Sequence, residues 1–343
     1  TNSYGCAGSA NTLNITVASA PGALSINGPN TVCTNQTGVV YSLPVGFNPT
    51  STFTWTVTGA TIVGAASGPG LGAVTVDFGL VTPVTVQVSE TSSSGCTGTP
   101  ATLSVGLSNR PTMTSSAVTS ACSGIAPTLV FTSSMASTYA WTVTSITGTL
   151  TNVAVGQSGS GDLSTTFTGV NAIRNTSGAV GSVTFNVTPT ASASPFCVGT
   201  TQSVVLTVNP EPVLVNPQTK TICSGSSVNY EIITTPLNLP AGTFFNWPAP
   251  VMSDGSIQGS LGSNVAAGAA GTIHITDNLV NLTGSPITAT YTITPTSGSG
   301  CVGVARTVVV TVNPAPIVAN GIDRTVCSDT GIGLTLSVAA GSA

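Results

Sequence analysis

Residues 287–314 read ITATYTITPTSGSGCVGVARTVVVTVNP, and this stretch contains the pattern that decides the fold. Apolar and polar residues alternate over residues 289–293, and residues 308–312 form a nearly continuous Val-rich run. Both patterns, with their β-branched residues, are typical of strands. A Ser/Gly segment ending in Cys301 separates the two runs, and Asn313-Pro314 ends the second. The stretch therefore predicts two strands of a β module joined by a turn that carries a cysteine.

The cysteines alternate between two kinds along the chain. Leading cysteines follow a Thr or Ser and then a Val, Ala or Ile; they are Cys33, Cys122, Cys223 and Cys327. Trailing cysteines stand in a Cys-x-Gly pattern; they are Cys6, Cys96, Cys197 and Cys301. The step from a trailing to the next leading cysteine is 27, 26, 26 and 26 residues, whereas the reverse step is 63, 75 and 78 residues. A recurring period of this kind indicates an array of small modules.

Each module is expected to open at a Pro-containing junction and to hold about seven short strands, the layout of an Ig-like sandwich. No segment of ten or more residues has a 3.6-residue period, so the prediction is an all-β chain of tandem β-sandwich modules in a head-to-tail array. The three predicted modules are residues 21–110, 111–210 and 211–314. Residues 1–20 are predicted to hold the final strand or strands of a preceding module, and residues 315–343 the first strands of a following module.

One aromatic residue and one tryptophan recur at fixed places in the modules. The expected second strand carries Tyr41, Phe131 or Tyr230, and the expected third strand carries Trp55, Trp141 or Trp247. Recurrence at one position per module predicts that these six residues anchor the cores. An exposed platform for stacking sugars is the alternative.

Composition excludes several classes of protein. Charged residues make up 4% of the chain, 5 basic and 9 acidic, against about 25% in typical domains. So few scattered cations do not provide the basic stripe that nucleic acid requires. No apolar run approaches the roughly 18 to 20 residues of a spanning helix, so no membrane insertion is expected. Cysteines in small β modules indicate disulfides and an oxidising, extracellular compartment.

Neither a catalytic site nor a metal or cofactor site is predicted. The carboxylates are dispersed, and His274, the single histidine, alternates with two isoleucines as on the polar face of a strand. Zinc would require cysteines a few residues apart, and the closest here are 26 residues apart. Asn-x-Ser/Thr occurs at Asn14, Asn35, Asn175, Asn186 and Asn281, which is expected by chance in a Thr-rich chain and does not imply glycosylation.

Three disulfide schemes are open. The leading and trailing cysteines are expected at opposite ends of a sandwich, separated by a strand of roughly 33 Å, whereas a disulfide requires Cα atoms within about 7 Å. Staggered pairs between modules are therefore preferred, Cys33–Cys197 and Cys122–Cys301, with the partners of Cys6, Cys96, Cys223 and Cys327 outside this sequence. Pairing within a module, such as Cys33–Cys96, and pairing of neighbours in sequence, such as Cys6–Cys33, are the alternatives.

The sequence resembles the PKD-like repeats of Bacteroidota surface proteins. The resemblance is carried by Thr221-Ile222-Cys223-Ser224-Gly225, by the phrase LPAGTFFNW at 239–247, by the stretch from Tyr291 to Pro314, and by NGIDRTVC at 320–327. It implies secretion, through the type IX route, and very long cell-surface chains such as gliding-motility adhesins. It carries over no catalytic residue.

The leading functional hypothesis is a structural stalk or spacer of a long extracellular filament or adhesin, attached to the cell surface, which projects a binding tip and bears tension. The sequence is then a window from a longer secreted polypeptide. Its partners are neighbouring modules, other copies of the filament through weakly charged strand edges, and an external surface or polysaccharide reached through other regions. Two alternatives are an array of modules that binds glycans or surfaces, and an accessory segment of a secreted hydrolase.

Overall fold

The computed structural model describes residues 3–5, 11–214, 218–232, 239–259, 264–267, 274–316, 325–333 and 335, with the backbone alone for 264–267. Among the described residues the fold is nearly all-β, with 46% strand and 2% helix. This confirms the predicted fold class. Among the described residues there is no helix of the length and apolar character that a membrane crossing requires.

The chain divides into two compact units. Unit 1 consists of Thr1–Thr112, Ser133–Thr138 and Pro189–Thr200, and unit 2 consists of Met113–Thr132, Tyr139–Thr188 and Thr201–Ala343. The strands of the first module lie in unit 1. Unit 2 holds the third module and most of the second, whose segments 133–138 and 189–200 belong to unit 1.

The first module is a sandwich of two sheets. Its strands are β1 (Thr31–Cys33), β2 (Val39–Ser42), β3 (Thr52–Thr58), β4 (Ala60–Val63), β5 (Ser67–Pro69), β6 (Ala73–Phe78), β7 (Val84–Thr91) and β8 (Ala101–Ser108). One sheet has the order β1-β8-β7-β3-β5 and the other β2-β6-β4. Buried residues alternate along β7, as they must where one face of a strand covers a core. The two sheets enclose a common core that includes Tyr41, Phe53, Trp55 and Val86.

The second module replaces most of its second sheet with short helical turns. Its elements are β9 (Val118–Cys122), β10 (Ser137–Thr147), β11 (Leu150–Thr151), β12 (Ser158–Ser160), α1 (Leu163–Thr166), a 3-10 helix (Gly169–Asn171), β13 (Arg174–Asn175), β14 (Gly181–Ala191) and β15 (Gln202–Asn209). The main sheet has the order β12-β10-β14-β15-β9, and β11 pairs with β13. Phe167, directly after α1, packs against Trp141 with ring centroids 5.6 Å apart, so these turns cover the sheet.

The predicted strand at Phe131 is wrong. Residues 126–132 belong to no strand, because the backbone N–H of Phe131 donates to Oδ1 of Asp162 at 2.7 Å rather than to a neighbouring strand. The Phe131 ring is nevertheless buried, and it packs against Tyr139 at a centroid distance of 5.5 Å. A carboxylate thus satisfies the backbone donor that a β ladder would otherwise satisfy.

The third module again has a large sheet and smaller ones. Its strands are β16 (Gln218–Cys223), β17 (Ser226–Ser227), β18 (Tyr230–Glu231), β19 (Phe244–Trp247), β20 (Val251–Met252), β21 (Ile257–Gly259), β22 (Asn264–Ala267), β23 (His274–Ile275), β24 (Asn278–Asn281), β25 (Ile287–Thr296) and β26 (Arg306–Asn313). The main sheet runs β16-β26-β25-β19-β22, with β20 also paired to β25; β17-β24-β21 and β18-β23 form the others. The stretch 287–314 therefore forms the hairpin of β25 and β26.

The first and last strands of every module are neighbours and run parallel. β1 pairs with β8, β9 with β15, and β16 with β26. Each module thus closes on itself before the chain enters the next Pro-containing junction. The described residues outside the three modules, 11–20 and 325–333, contain no strand, and the predicted boundaries of the flanking divisions stay a prediction.

Candidate functional site at the cysteine turns

The parallel ladder fixes the position of each leading cysteine. Cys33 lies opposite Ser108, Cys122 opposite Asn209, and Cys223 opposite Asn313, so each is the last residue of the first strand beside the last residue of the last strand. The N–H of the following residue, Thr34, Ser123 or Ser224, then donates to the carbonyl of that same partner, at 2.8–2.9 Å. Each leading cysteine is thereby held at the end of its module where the chain leaves.

A buried asparagine holds the turn after Cys122. Asn175 Nδ2 donates to the carbonyl oxygens of Ala179 and Val208, at 2.8 and 2.9 Å. Its Oδ1 accepts from both the N–H and the hydroxyl of Ser177, and its own N–H donates to Ser123 Oγ at 3.0 Å. Since Ser123 follows Cys122, Asn175 ties the cysteine turn to the last strand of the module.

The same arrangement recurs in the third module. Asn281 Nδ2 donates to the carbonyls of Ser285 and Val312, each at 2.8 Å, its Oδ1 accepts from Thr283, and its N–H donates to Ser224 Oγ at 3.0 Å. Two of the five Asn-x-Ser/Thr sequences are therefore structural, and the interpretation of all five as chance is wrong. The third residue of the motif is needed because its N–H and hydroxyl satisfy the asparagine oxygen.

Three of the trailing cysteines, Cys96, Cys197 and Cys301, lie in similar hairpin turns. The carbonyls of Cys96, Cys197 and Cys301 each accept an N–H across the turn at 2.9 Å, and the N–H of the glycine two residues later donates across the strand pair. In two turns that glycine packs against the backbone of the preceding junction: a Cβ on Gly199 or Gly303 would lie 2.0 Å from the carbonyl oxygen of Pro111 or Pro212. This contact explains the Cys-x-Gly pattern, because only glycine leaves room for the proline carbonyl.

The first junction disulfide joins Cys33, at the end of β1, to Cys197, in the turn between β14 and β15. It spans 164 residues of sequence. Both cysteines are buried, and they form a small cluster with Ala191 and the partly buried Met135. All four residues belong to unit 1.

The second junction disulfide joins Cys122, at the end of β9, to Cys301, in the turn between β25 and β26. It spans 179 residues, and both cysteines belong to unit 2. These two bonds are the pairs that the staggered scheme names, each linking the leading cysteine of one module to the trailing cysteine of the next. The described cysteines form neither within-module pairs nor pairs of sequence neighbours.

Arg110 lies beside the first junction disulfide. Its Nε donates to the carbonyl of Thr34 at 2.8 Å and its Nη1 to the carbonyl of Val198 at 2.7 Å. Thr34 follows Cys33 and Val198 follows Cys197, so one guanidinium bonds to both turns that the disulfide connects. The sequence pattern did not identify this residue, because Arg110 has no counterpart of the same type in the later junctions.

The remaining cysteines are unpaired or lie outside the described residues. Cys223 and Cys327 are exposed, and Cys96 is partly buried with its Sγ 3.6 Å from the carbonyl of Ala18. Cys6 lies outside the described residues. Cys223 stands on the same kind of turn as the disulfide-bonded Cys122, and Cys96 in the same kind of hairpin as Cys197 and Cys301.

The six aromatic residues predicted as core anchors are all buried. Relative exposures are between 0% and 7% for Tyr41, Phe131, Tyr230, Trp55, Trp141 and Trp247. His274 is exposed on β23 and the next residue, Ile275, is buried. Within the described part of the chain, no group of three or more His, Cys, Asp or Glu side chains is placed to hold a metal ion.

Comparison with protein families gives two matching models, both described as PKD-like domain. One matches residues 119–212 and 220–316, more than half of the chain, and the other matches residues 9–105. The matched segments follow the second, third and first modules, respectively. A comparison with curated proteins finds no significant match.

Solved structures with several domains in tandem are also similar to this chain. A three-Ig variant fragment of titin is 12% identical and covers 86% of this chain and 99% of its own, with a TM-score of 0.33. N-cadherin EC1-3 of Drosophila is 8% identical and covers 84% of this chain and 99% of its own, with a TM-score of 0.21. Chicken CNTN1 FN1-FN3 is 11% identical and covers 85% of this chain and 99% of its own, with a TM-score of 0.27. All three TM-scores are below 0.5, so the family assignment depends on the family models alone.

Proposed function

The chain belongs to the PKD-like domain family, and on that premise we propose that these modules are a tension-bearing spacer of a long extracellular filament or adhesin. The filament is attached to the cell surface and projects a binding tip that lies in another part of the polypeptide. Secretion through the type IX route and a role in adhesion or gliding belong to the same proposal. The modules themselves perform no catalysis in this function.

The observation that carries the proposal is the staggered pairing of the cysteines. A disulfide within one module would protect that module alone, whereas Cys33–Cys197 and Cys122–Cys301 span 164 and 179 residues and overlap along the chain. Force applied to the ends of the chain is then carried by the two disulfides past most of the first and third modules, and between the two bonds it runs through the segment from Cys122 to Cys197 of the second module. Even an unfolded module cannot lengthen the chain by its full contour, which is the property that a spacer under load requires.

The unpaired cysteines extend the same scheme. We assign Cys96 and Cys6 to leading cysteines of earlier modules, and Cys223 and Cys327 to trailing cysteines of later modules. The turn of Cys223 is built like that of Cys122, with Asn281 in place of Asn175, and this similarity supports a partner of the same kind. Neighbouring modules of one polypeptide are thus the partners of this segment, and other copies of the filament are further partners through strand edges.

The test is the length of the native polypeptide. The intact protein is released from the cell surface without proteolysis and sized under denaturing, non-reducing conditions, then sized again after reduction. A single chain of several thousand residues agrees with a filament. A chain of under about a thousand residues contradicts the proposal and favours an accessory array beside an enzyme or a small binding domain.

A further inference from the structure

One trailing-cysteine turn departs from the rule that the others follow. The residue before the trailing cysteine has a positive φ in each of the three described turns, and it is glycine at Gly95 and Gly300, with φ of 81° and 84°. In the second module the same position is Phe196, with φ of 55°. A bulky side chain in this backbone region is strained, whereas glycine adopts it freely.

The Phe196 side chain gains no burial in return for this strain. It is 59% exposed and lines an open cleft of about 350 Å³ together with Pro29, Pro195 and Val198. Folding would favour glycine here, as in the other modules. A local rule that is broken without a gain in packing points to a function at that position.

Arg110 lines the same cleft. Its bonds to the carbonyls of Thr34 and Val198 fix the guanidinium in place without neutralising its charge. No carboxylate lines the cleft. A guanidinium has five N–H donors, so donors remain for a ligand beyond the two bonds to the protein.

We propose that this junction cleft, formed by Phe196, Arg110, Pro29, Pro195 and Val198, binds a carboxylate-bearing sugar, a uronic acid unit of an extracellular polysaccharide. The planar guanidinium matches a carboxylate in a paired hydrogen-bond geometry. The exposed phenylalanine ring and the proline rings offer flat apolar surfaces to the C–H face of a pyranose. The volume lies within the range of small-molecule sites, about 300–1,000 Å³.

The second junction supplies a natural contrast. Gly303 packs against the Pro212 carbonyl as Gly199 packs against the Pro111 carbonyl, so Glu211 occupies the place of Arg110. Gly300 likewise occupies the place of Phe196. A carboxylate there repels an anionic ligand, and the aromatic ring is missing. The site therefore belongs to the first junction, and it goes beyond the spacer function of the whole array.

The test uses the 343-residue oxidised chain and tetragalacturonate as the probe, with binding measured by isothermal titration calorimetry and by ligand-observed NMR. Two variants transfer the residues of the second junction to the first: Phe196→Gly restores the residue of the other modules, and Arg110→Glu reverses the charge. We expect each to weaken binding at least tenfold. The methyl-esterified oligomer, which has the same rings without the charge, is expected to bind at least tenfold more weakly to the unchanged chain.

The fold is checked in the same samples by mapping the Cys33–Cys197 bond without reduction. Phe196→Gly relieves backbone strain, so it keeps the test valid even if Arg110→Glu disturbs the junction. Undiminished binding by Phe196→Gly overturns the proposal, as does equal binding of the esterified oligomer. Absence of binding at millimolar tetragalacturonate, or binding of acidic peptides in its place, also overturns it. All of these outcomes leave the spacer function untouched, because none of them concerns the length or the extensibility of the chain.

Discussion

The junction disulfides set how far the chain extends under force, and single-molecule pulling measures this directly. The background for the experiment replaces Cys6, Cys96, Cys223 and Cys327 with serine, so that no other disulfide forms. In one variant Cys122 and Cys301 are also serine, which leaves the first junction disulfide alone. A matched variant with Cys33→Ser and Cys197→Ser leaves only the second.

The expected lengths follow from the residues that each bond bypasses. The first disulfide spans 164 residues, and at about 3.4 Å per extended residue it hides about 560 Å of chain. The second spans 179 residues and hides about 610 Å by the same measure. With both bonds present, the shortest covalent path runs from Cys33 to Cys197, back along the chain to Cys122 and across to Cys301, which hides about 650 Å rather than the sum.

The assay pulls the chain by handles at its two ends in oxidising buffer, until every module has unfolded, and then adds a reductant. The contour length is expected to increase by the stated amount only after reduction. Because the three samples differ in cysteines alone, the difference between them reports the path of the force and not the stability of the modules.

Two results would refute this reasoning. An unchanged contour after reduction means that the bonds are absent or lie outside the path of the force. In the background chain with all four junction cysteines, the one closure within a single module is Cys122–Cys197, a loop of 75 residues, and an increment of about 255 Å from that loop alone indicates pairing inside the module.

Three further predictions concern stability. Replacing Asn175 with Ala removes its bonds to the carbonyl of Ala179 and to the buried carbonyl of Val208, and removes the acceptor of the Ser177 N–H. We expect urea denaturation to show a loss of about 2–4 kcal/mol in the second module, whereas Asn186→Ala, at an exposed position on β14, should cost no more than about 0.5 kcal/mol. Gly199→Ala places a Cβ 2.0 Å from a proline carbonyl oxygen; it should lower the yield of the first junction disulfide, and it should lower the free energy of unfolding by about 1–3 kcal/mol. Gly22→Ala is the control, because its Cβ enters open space. An equal loss of stability in the control would contradict the steric explanation. Burial raises the pKa of Tyr41 from 10.0 to about 12, so between pH 10 and 12 the folded state keeps a proton that the unfolded chain releases. The contribution of Tyr41 to stability is present below pH 10, and above it the free energy of unfolding should fall by about 1.4 kcal/mol per pH unit. Denaturation at pH 9 and 11.5 should show that Tyr41→Phe removes this pH dependence from the first module.

The sequence predicted the fold through features that are local or strictly repeated. Alternating residues in 287–314 predicted the hairpin of β25 and β26, because burial on one face of a strand has a period of two residues. The recurring spacing of the cysteines predicted the array of modules. By contrast, the predicted strand at Phe131 does not form, because the backbone N–H of Phe131 donates to the carboxylate of Asp162, 31 residues away. A local sequence pattern does not reveal a contact between residues so far apart.

The candidate site was predictable in part. The two bonds present in the structure are those of the staggered scheme, which followed from the length of a strand and the reach of a disulfide. The asparagines behind the cysteine turns were missed, since Asn175 and Ser123 are 52 residues apart. A signal was nevertheless available: Cys-Ser-Gly and a later Asn-x-Ser/Thr occur together in both the second and the third module.

The buried asparagines also restrict the choice of host for producing this protein. Asn-x-Ser/Thr is the acceptor sequence for N-linked glycans in eukaryotic secretory pathways, and transfer to Asn175 or Asn281 modifies the Nδ2 atom that donates two hydrogen bonds in the folded module. Both side chains are at most 5% exposed, which leaves no room for a sugar. In such a host, glycan transfer and folding of these two modules exclude each other, so a secreted fraction that carries glycans at these asparagines is a misfolded fraction.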